Sequence, residues 1–312
     1  MKLLNLIHKR KLLFLNICLI LLALLMLPGF SYYEQVKASY QQPEVLASHF
    51  LLPPLPLIAK NKTGILPPNL SAKAILITDV NSAQIILEKG KDERLLPAST
   101  TKIMTALVAL DYFQKDQIIT VPEWFRDGQN VKLQKGETMT FTNLLYCLLV
   151  ASANDAAETL AANYPGGRVN FIIQMNQKAQ DLGLTDTHFV NPTGIDEENH
   201  FSSARDMAIM AKTALKNPQF AEIVQTTYYV AYSTDQKFVH PMSNINTLLG
   251  RIPGIKGVKT GWTENAGECL VTLSDKDGKQ IVIIVFGSND RFGETEKLLK
   301  WVGDNFVWEP AA

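Results

Sequence analysis

The period of the apolar pattern changes twice along this chain, and the order of the changes limits the folds open to it. Ser71 to Lys89 reads as a hairpin, with strands over Ala74–Val80 and Gln84–Leu87 and a turn at Asn81-Ser82. Helical periodicity takes over at Ser99, where Ile103, Met104, Leu107, Val108 and Leu110 make one apolar stripe. Further helices are predicted over about Thr142–Val150, Asp155–Asn163, Val169–Leu182 and Ser203–Leu215. Ser202 or Ser203 caps the last of these, and Asp206 complements its dipole. Strand character returns in Val258–Trp262, Glu268–Leu273 and Gln280–Phe286. The last two are joined by Asp275-Lys276-Asp277-Gly278, a strong turn signal. Glu294–Phe306 closes as an amphipathic helix. Strands therefore open and close the pattern, and their short links imply antiparallel pairing. The expected architecture is α+β: an antiparallel sheet flanked by helices, with a helical lobe inserted in the middle.

What precedes this region is different in kind. Lys2, Lys9, Arg10 and Lys11 stand before an apolar run from Leu12 to Leu27, broken only by Asn16. A basic flank followed by such a run is a secretory signal or a signal anchor, so residues 1–30 are assigned to one or the other. The run extends through Phe30 to near the length of a span, and Val36-Lys37-Ala38 lies far from it for a cleavage site, which favours an anchor. Either way the basic end stays in the cytoplasm and the rest is exported. Residues 31–70 read as a proline-rich tether, with Pro43, Pro53, Pro54, Pro56, Pro67 and Pro68. Residues 71–312 are then one folded domain. Net charge is zero, and no basic stripe with interleaved aromatics marks a nucleic-acid partner.

Three short strings carry the chemistry: Ser99-Thr100-Thr101-Lys102, Ser152-Ala153-Asn154 and Lys259-Thr260-Gly261. A serine hydroxyl needs a neutral base within reach to act as a nucleophile. Lys102 lies three residues on, one helical turn away on the same face. It can serve only if its pKa falls far below the free value, which burial and the charge of Lys259 would achieve. Pro97-Ala98 before Ser99 and an apolar run after Lys102 put the string at the buried mouth of a helix. Ser152 and Asn154 supply a second hydroxyl and an amide, suited to passing the proton to a leaving amine and holding a substrate backbone. Lys62-Thr63-Gly64 repeats the third tripeptide, but in the tether and without a strand signal, and is assigned no chemistry.

The three strings in this order resemble the S-x-x-K, S-D-N and K-T-G set of penicillin-binding proteins and class A β-lactamases, with Ala153 in place of the Asp. The residues between them narrow the resemblance. Thr187 to Gly194, His200 to Asp206, Leu148 to Ala157 and Asn244 to Leu249 are similar to the low-molecular-weight D-alanyl-D-alanine carboxypeptidases, and the likeness covers roughly Ser71 to Phe306. The resemblance implies a serine D,D-carboxypeptidase that removes the terminal D-Ala of peptidoglycan stem peptides through an acyl-enzyme at Ser99. It assigns catalysis to Ser99, Lys102 and Ser152. It assigns substrate binding to Asn154, Lys259, Thr260, Gly261 and Trp262, with Lys259 and Thr260 facing the substrate carboxylate. Gly261 would let the substrate strand come close, and the backbone N–H groups of Ser99 and Trp262 would form the oxyanion hole. Asn246 is a further candidate for the cleft. Arg291 is a candidate for the carboxylate, although a plain surface arginine is as good a reading. β-Lactam antibiotics are the implied inhibitors, and the membrane is a partner through the N-terminal segment.

The rivals are close in chemistry. A D,D-endopeptidase acting on cross-links is barely separated by sequence. A class A β-lactamase would carry a Glu-x-x-Leu-Asn string and a Ser-Asp-Asn motif, and neither is present. A silent wall-binding module would have been expected to lose one of the motifs. No cofactor is implied, and the five scattered histidines show no metal-ligand spacing. His200 and Arg205-Asp206 read as ties within the lobe. Cys147 and Cys269 read more simply as buried small side chains than as a bridge.

Overall fold

The structure, a computed structural model, describes residues 2–26, 57–122, 125 and 127–311. The chain divides into two units, Met1–Pro54 and Leu55–Ala312. The first contains helix α1 (Lys2–Leu25), whose side chains from Ile7 onward are exposed. None of the described helices is long and apolar enough to cross a membrane. The end of the expected signal segment, residues 27–30, and the tether over residues 31–56, including Val36-Lys37-Ala38, lie outside the described residues.

In the second unit, strands β1 (Leu57–Asn61), β2 (Ala74–Asp79) and β3 (Ile85–Lys89) lead into a 3₁₀ turn at Ala98–Thr101. The lobe follows: α2 (Lys102–Tyr112), β4 (Ile118–Thr120), β5 (Thr138–Thr140), α3 (Phe141–Leu149), α4 (Asn154–Ala162), α5 (Gly167–Asp181), α6 (Ala204–Leu215), α7 (Pro218–Val224), β6 (Tyr228–Tyr232) and β7 (Val239–Ser243). The chain returns through β8 (Ile255–Thr263), β9 (Gly267–Lys276) and β10 (Lys279–Ser288), and closes with α8 (Arg291–Asn305) and β11 (Phe306–Pro310). The main sheet runs β3-β2-β10-β9-β8, antiparallel throughout, so the opening hairpin and the closing strands pair as the sequence pattern requires.

Two-residue alternation divides this sheet between two cores. On β10, Val282, Ile284 and Phe286 face the lobe, where they pack with Ile103, Leu107 and Met207. Ile281, Ile283 and Val285 face the other way, onto Leu298, Trp301 and Val302 of α8. Because both faces are covered by helices, these strands read as continuous apolar runs. The tip between β9 and β10 has left-handed φ at Asp277 (54°) and Gly278 (75°), as a two-residue I′ hairpin demands. Ser203 caps α6 by accepting the Asp206 N–H at 3.1 Å, which decides between the two candidate caps.

Strand β1 falls inside the stretch read as tether. Leu57–Asn61, read as tether because of the prolines that flank it, pairs with β11 from Leu57↔Pro310 to Asn61↔Phe306. The Lys62-Thr63-Gly64 copy directly after β1 is a turn: Asn61 Oδ1 accepts the Thr63 and Gly64 N–H groups at 3.1 and 2.8 Å.

Glu294, only 4% exposed at the start of α8, ties this helix to the sheet. Its carboxylate accepts Ser288 Oγ at 2.6 Å, the Ala72 N–H at 3.2 Å and the Ser71 N–H. Burial pushes its pKa up, but these donors outweigh burial and hold it below the ordinary carboxylate value. A folded-state pKa below the unfolded one adds stability above the unfolded pKa, and that stability is lost as pH falls through the folded one. Glu294→Gln should lower the unfolding free energy at pH 7 by about 1–3 kcal/mol. In denaturant titrations the variant should also lose less stability than the parent between neutral and acid pH; equal losses would remove the carboxylate from this role.

Candidate active site

The first and third strings meet because the 3₁₀ turn lies against β8. A Cβ built on Gly261 would stand 3.0 Å from Ser99 N, 3.1 Å from Ala98 Cβ and 3.1 Å from Pro97 O. All three are main-chain or Cβ atoms, so a side chain here would displace the turn that carries Ser99. The expected reason for a glycine was approach of a substrate strand; the close approach in the structure is by the nucleophile's own turn. The turn is strained in a second way, because Ala98 has φ of 47°. Gly194 (φ 86°) backs it, with Ala98 O only 1.9 Å from where a Cβ would be. Left-handed non-glycine residues cost of the order of 1–3 kcal/mol and gather at functional sites. Ser152, with φ of 58°, is another.

Lys102 is fully buried as the first residue of α2. Its Nζ lies 2.8 Å from Ser99 Oγ, 2.6 Å from Asn154 Oδ1 and 2.6 Å from Thr193 O. Burial, and after it the charge of Lys259, hold its pKa well below the ordinary lysine value. An uncharged amine has two N–H bonds and one lone pair. Thr193 O can only accept. Asn154 presents its oxygen because its Nδ2 is committed to Asp127 O at 2.9 Å. These two acceptors take both N–H bonds, and the lone pair is left to face the Ser99 hydroxyl.

Each acceptor is fixed from behind. Thr193 sits in a turn closed on Asn191 Oδ1, which accepts the N–H groups of Thr193 (3.1 Å) and Gly194 (2.7 Å). Thr105 Oγ1 of α2 donates to Pro192 O at 2.6 Å. Asn154 N–H donates to Gln129 O at 2.7 Å, and the loop over residues 127–134 is pinned beneath it. The buried Asp155 carboxylate accepts the Val131 and Leu133 N–H groups at 3.3 and 3.0 Å. His240 Nδ1 contacts Val131 O at 3.0 Å and His240 Nε2 contacts Glu137 Oε1 at 2.7 Å. Glu137 in turn accepts the Gln134 N–H at 2.9 Å. Gln129, Thr193, Asp155, Glu137 and His240 were not singled out in the sequence.

Lys259 closes the other side. Its Nζ, buried on β8, donates to Ser152 Oγ at 2.8 Å and Thr260 O at 3.0 Å. Burial, then the nearby charge of Arg291, bring its pKa down to about 7. Thr260 is buried beside it, and Trp262 is 61% exposed at the rim. Arg291 is more than a surface arginine: half-buried, it donates from Nη1 to Gly261 O at 2.8 Å, and its Nε is buried without a partner among the described residues. Asn246 is buried before β8. Its described hydrogen bonds stay within its own turn, to Asn244 and Leu248, and reach none of the motif side chains.

His200 has the structural place expected of it. Nδ1 accepts the Val190 N–H at 3.2 Å, so Nε2–H faces Thr101 Oγ1 at 2.9 Å. Burial, then His188, lower its pKa to about 4, which keeps it neutral. Cys147 and Cys269 are buried and free. Among the described residues, no three His, Cys, Asp or Glu side chains come together as a metal-binding group.

The family model described as D-alanyl-D-alanine carboxypeptidase matches residues 61–290. The D-alanyl-D-alanine carboxypeptidase DacF of Bacillus subtilis is 36% identical over 250 residues, which are 77% of this chain and 64% of that protein. This chain thus spans a little under two thirds of that relative. A D-alanyl-D-alanine endopeptidase of Escherichia coli is 31% identical over 75% of this chain and 78% of its own length. The solved structure of a Streptomyces DD-transpeptidase superposes with a TM-score of 0.72 at 31% identity, over 77% of this chain and 100% of that one. The sheet with its inserted helical lobe is therefore the fold of known DD-peptidases, and the chain belongs to the D-alanyl-D-alanine carboxypeptidase family.

Proposed function

We propose that the protein is a serine D,D-carboxypeptidase that removes the terminal D-Ala from peptidoglycan stem peptides, with Ser99 as nucleophile. The observation that carries this reading is the hydrogen-bond cage of Lys102, which leaves an uncharged amine no group but Ser99 Oγ for its lone pair.

Ser99 Oγ attacks the carbonyl carbon of the D-Ala-D-Ala amide while its proton passes to Lys102 Nζ. The ammonium that forms stays bonded to Asn154 Oδ1 and Thr193 O, so the charge appears where acceptors already stand. The carbonyl oxygen becomes an oxyanion between the backbone N–H groups of Ser99 and Trp262, each contributing on the order of 3 kcal/mol. Lys259 donates into Ser152 Oγ, which leaves the Ser152 hydroxyl proton to be given to the amine as the C–N bond breaks, while Ser152 takes over the proton that Lys102 received from Ser99. The carboxylate of the leaving D-Ala is met by Lys259 and Thr260, with Arg291 adding positive potential behind them. Water then hydrolyses the acyl-enzyme. A β-lactam presents an amide, here strained within its ring, and a carboxylate in the same relation, so it acylates the same oxygen. The basic residues up to Lys11 and the apolar run that follows, residues 12–30, direct the rest of the chain out of the cytoplasm and anchor it to the membrane.

The endopeptidase reading keeps its place because a relative of that name is as similar as several carboxypeptidases. Release of D-Ala from a pentapeptide, compared with cleavage of a cross-linked dimer, decides between them. Faster D-Ala release is expected.

Labelled penicillin should mark the parent protein, Ser99→Ala should remove all labelling, and Lys102→Ala should slow it by about 10²–10⁴-fold. Labelling that survives Ser99→Ala would exclude this nucleophile. The pH profile of kcat/KM should be bell-shaped. Its acid limb reports protonation of Lys102, and its alkaline limb reports loss of the Lys259 charge near pH 7. Lys259→Arg cannot lose that charge, so the alkaline limb should disappear even if the plateau is lower. An unchanged limb would assign it to another group. Gly261→Ala forces the Ser99 turn outward, and stopped-flow acylation should fall by about 10²-fold with the fold retained. An unaffected rate would show that the turn can yield.

A further inference from the structure

On the face of the sheet away from the lobe, the apolar packing is broken in two. One cluster holds Ile281, Trp301 and Val302 with Phe306 and Trp308 packed against them, and a second holds Leu248, Ile255 and Leu270. Leu299 of α8 packs against both, and the space beside it is a cavity of about 930 Å³. Protein interiors leave few voids larger than a water molecule, whereas ligand pockets run from about 300 to 1,000 Å³. The opening has the size of a ligand pocket.

Its walls indicate which ligand. The floor is apolar, from Ile252, Ile281, Leu299, Phe306 and Trp308. Lys276, Lys279, Lys297 and Lys300 also line it, against two acids, Asp277 and Glu296. Glu296 is engaged by Arg251, and Lys300 is paired with Asp304. Lys276 and Lys297 have no ion-pair partner among the described residues. Lys279 Nζ stands 5.6 Å from the centroid of the Trp308 ring, so one cation is already held over the apolar wall. None of these residues belongs to the three motifs.

We propose that this cavity between α8 and the β9–β10 hairpin binds an amphiphilic anion, its alkyl tail on the Leu299–Trp308 floor and its phosphate or carboxylate head at Lys276 and Lys297. A neutral apolar molecule would gain nothing from the lysines, and a cationic one would be repelled.

Isothermal titration of the full chain tests this with four probes below their micellar concentrations: decyl phosphate, dihexanoyl phosphatidylglycerol, decyl maltoside and decyltrimethylammonium. Saturable one-to-one binding of at least one anionic probe is expected, at least tenfold tighter than the maltoside, with no binding of the cation. Tighter binding of decyl phosphate identifies a free single-chain anion as the ligand, and tighter binding of the phosphatidylglycerol identifies a membrane lipid. Both lysines are surface residues, so the Lys276→Glu, Lys297→Glu double variant should stay folded. It should lose at least tenfold in anion affinity while penicillin labelling of Ser99 is unchanged. Equal binding of all four probes, binding of none, or undiminished anion affinity in the double variant would overturn the assignment.

Discussion

The absence of charge on Lys102 is the constraint from which the rest of the arrangement follows. A buried ammonium beside a second buried lysine would be costly, so desolvation and then Lys259 hold its pKa well below the ordinary lysine value. Burial alone would yield only an inert core amine. What makes it a base is that Asn154 Oδ1 and Thr193 O take its two N–H bonds, so the one remaining direction is that of Ser99 Oγ. The acceptors need their own supports, and most of the unusual backbone near the cleft provides them.

Those supports come from distant stretches of chain. The Asn191–Gly194 turn delivers the Thr193 carbonyl and fits only because position 194 has no Cβ to meet Ala98 O. The loop over residues 127–134 delivers the oxygen that orients Asn154, and it is held by the Asp155 carboxylate and the Glu137–His240 pair. The Ser99 turn, the lobe and the Asn191–Gly194 turn thus meet at one nitrogen. The left-handed residues Ala98 and Ser152 mark where this convergence strains the backbone.

Much of this was legible in the chain. The motifs are local strings, and each element that carries them announces itself by period: the stripe behind Lys102, the helix ending before Ser152, the strand through Lys259. The antiparallel sheet followed from the Asp275–Gly278 turn and the Asn81-Ser82 turn. What was not legible was non-local or main-chain. Thr193 acts through its carbonyl, which no side-chain pattern reveals. Glu137 and His240 meet across 103 positions with no spacing to connect them. Gly261 looked like room for a substrate because its neighbour, the Ser99 turn, is remote in sequence. Leu57–Asn61 was obscured by its flanking prolines, since its pairing partner lies at the far end of the chain.

Selective observation of lysine side chains by nuclear magnetic resonance measures the central quantity itself. In protein with isotope-labelled lysine, assigned through Lys102→Arg, the Lys102 Cε and Nζ shifts should be those of a neutral amine at pH 7 and should move to those of an ammonium only on acidification. Shifts of an ammonium that persist at pH 7 and titrate near the ordinary lysine value would contradict the account, because a protonated Lys102 has no lone pair to offer Ser99.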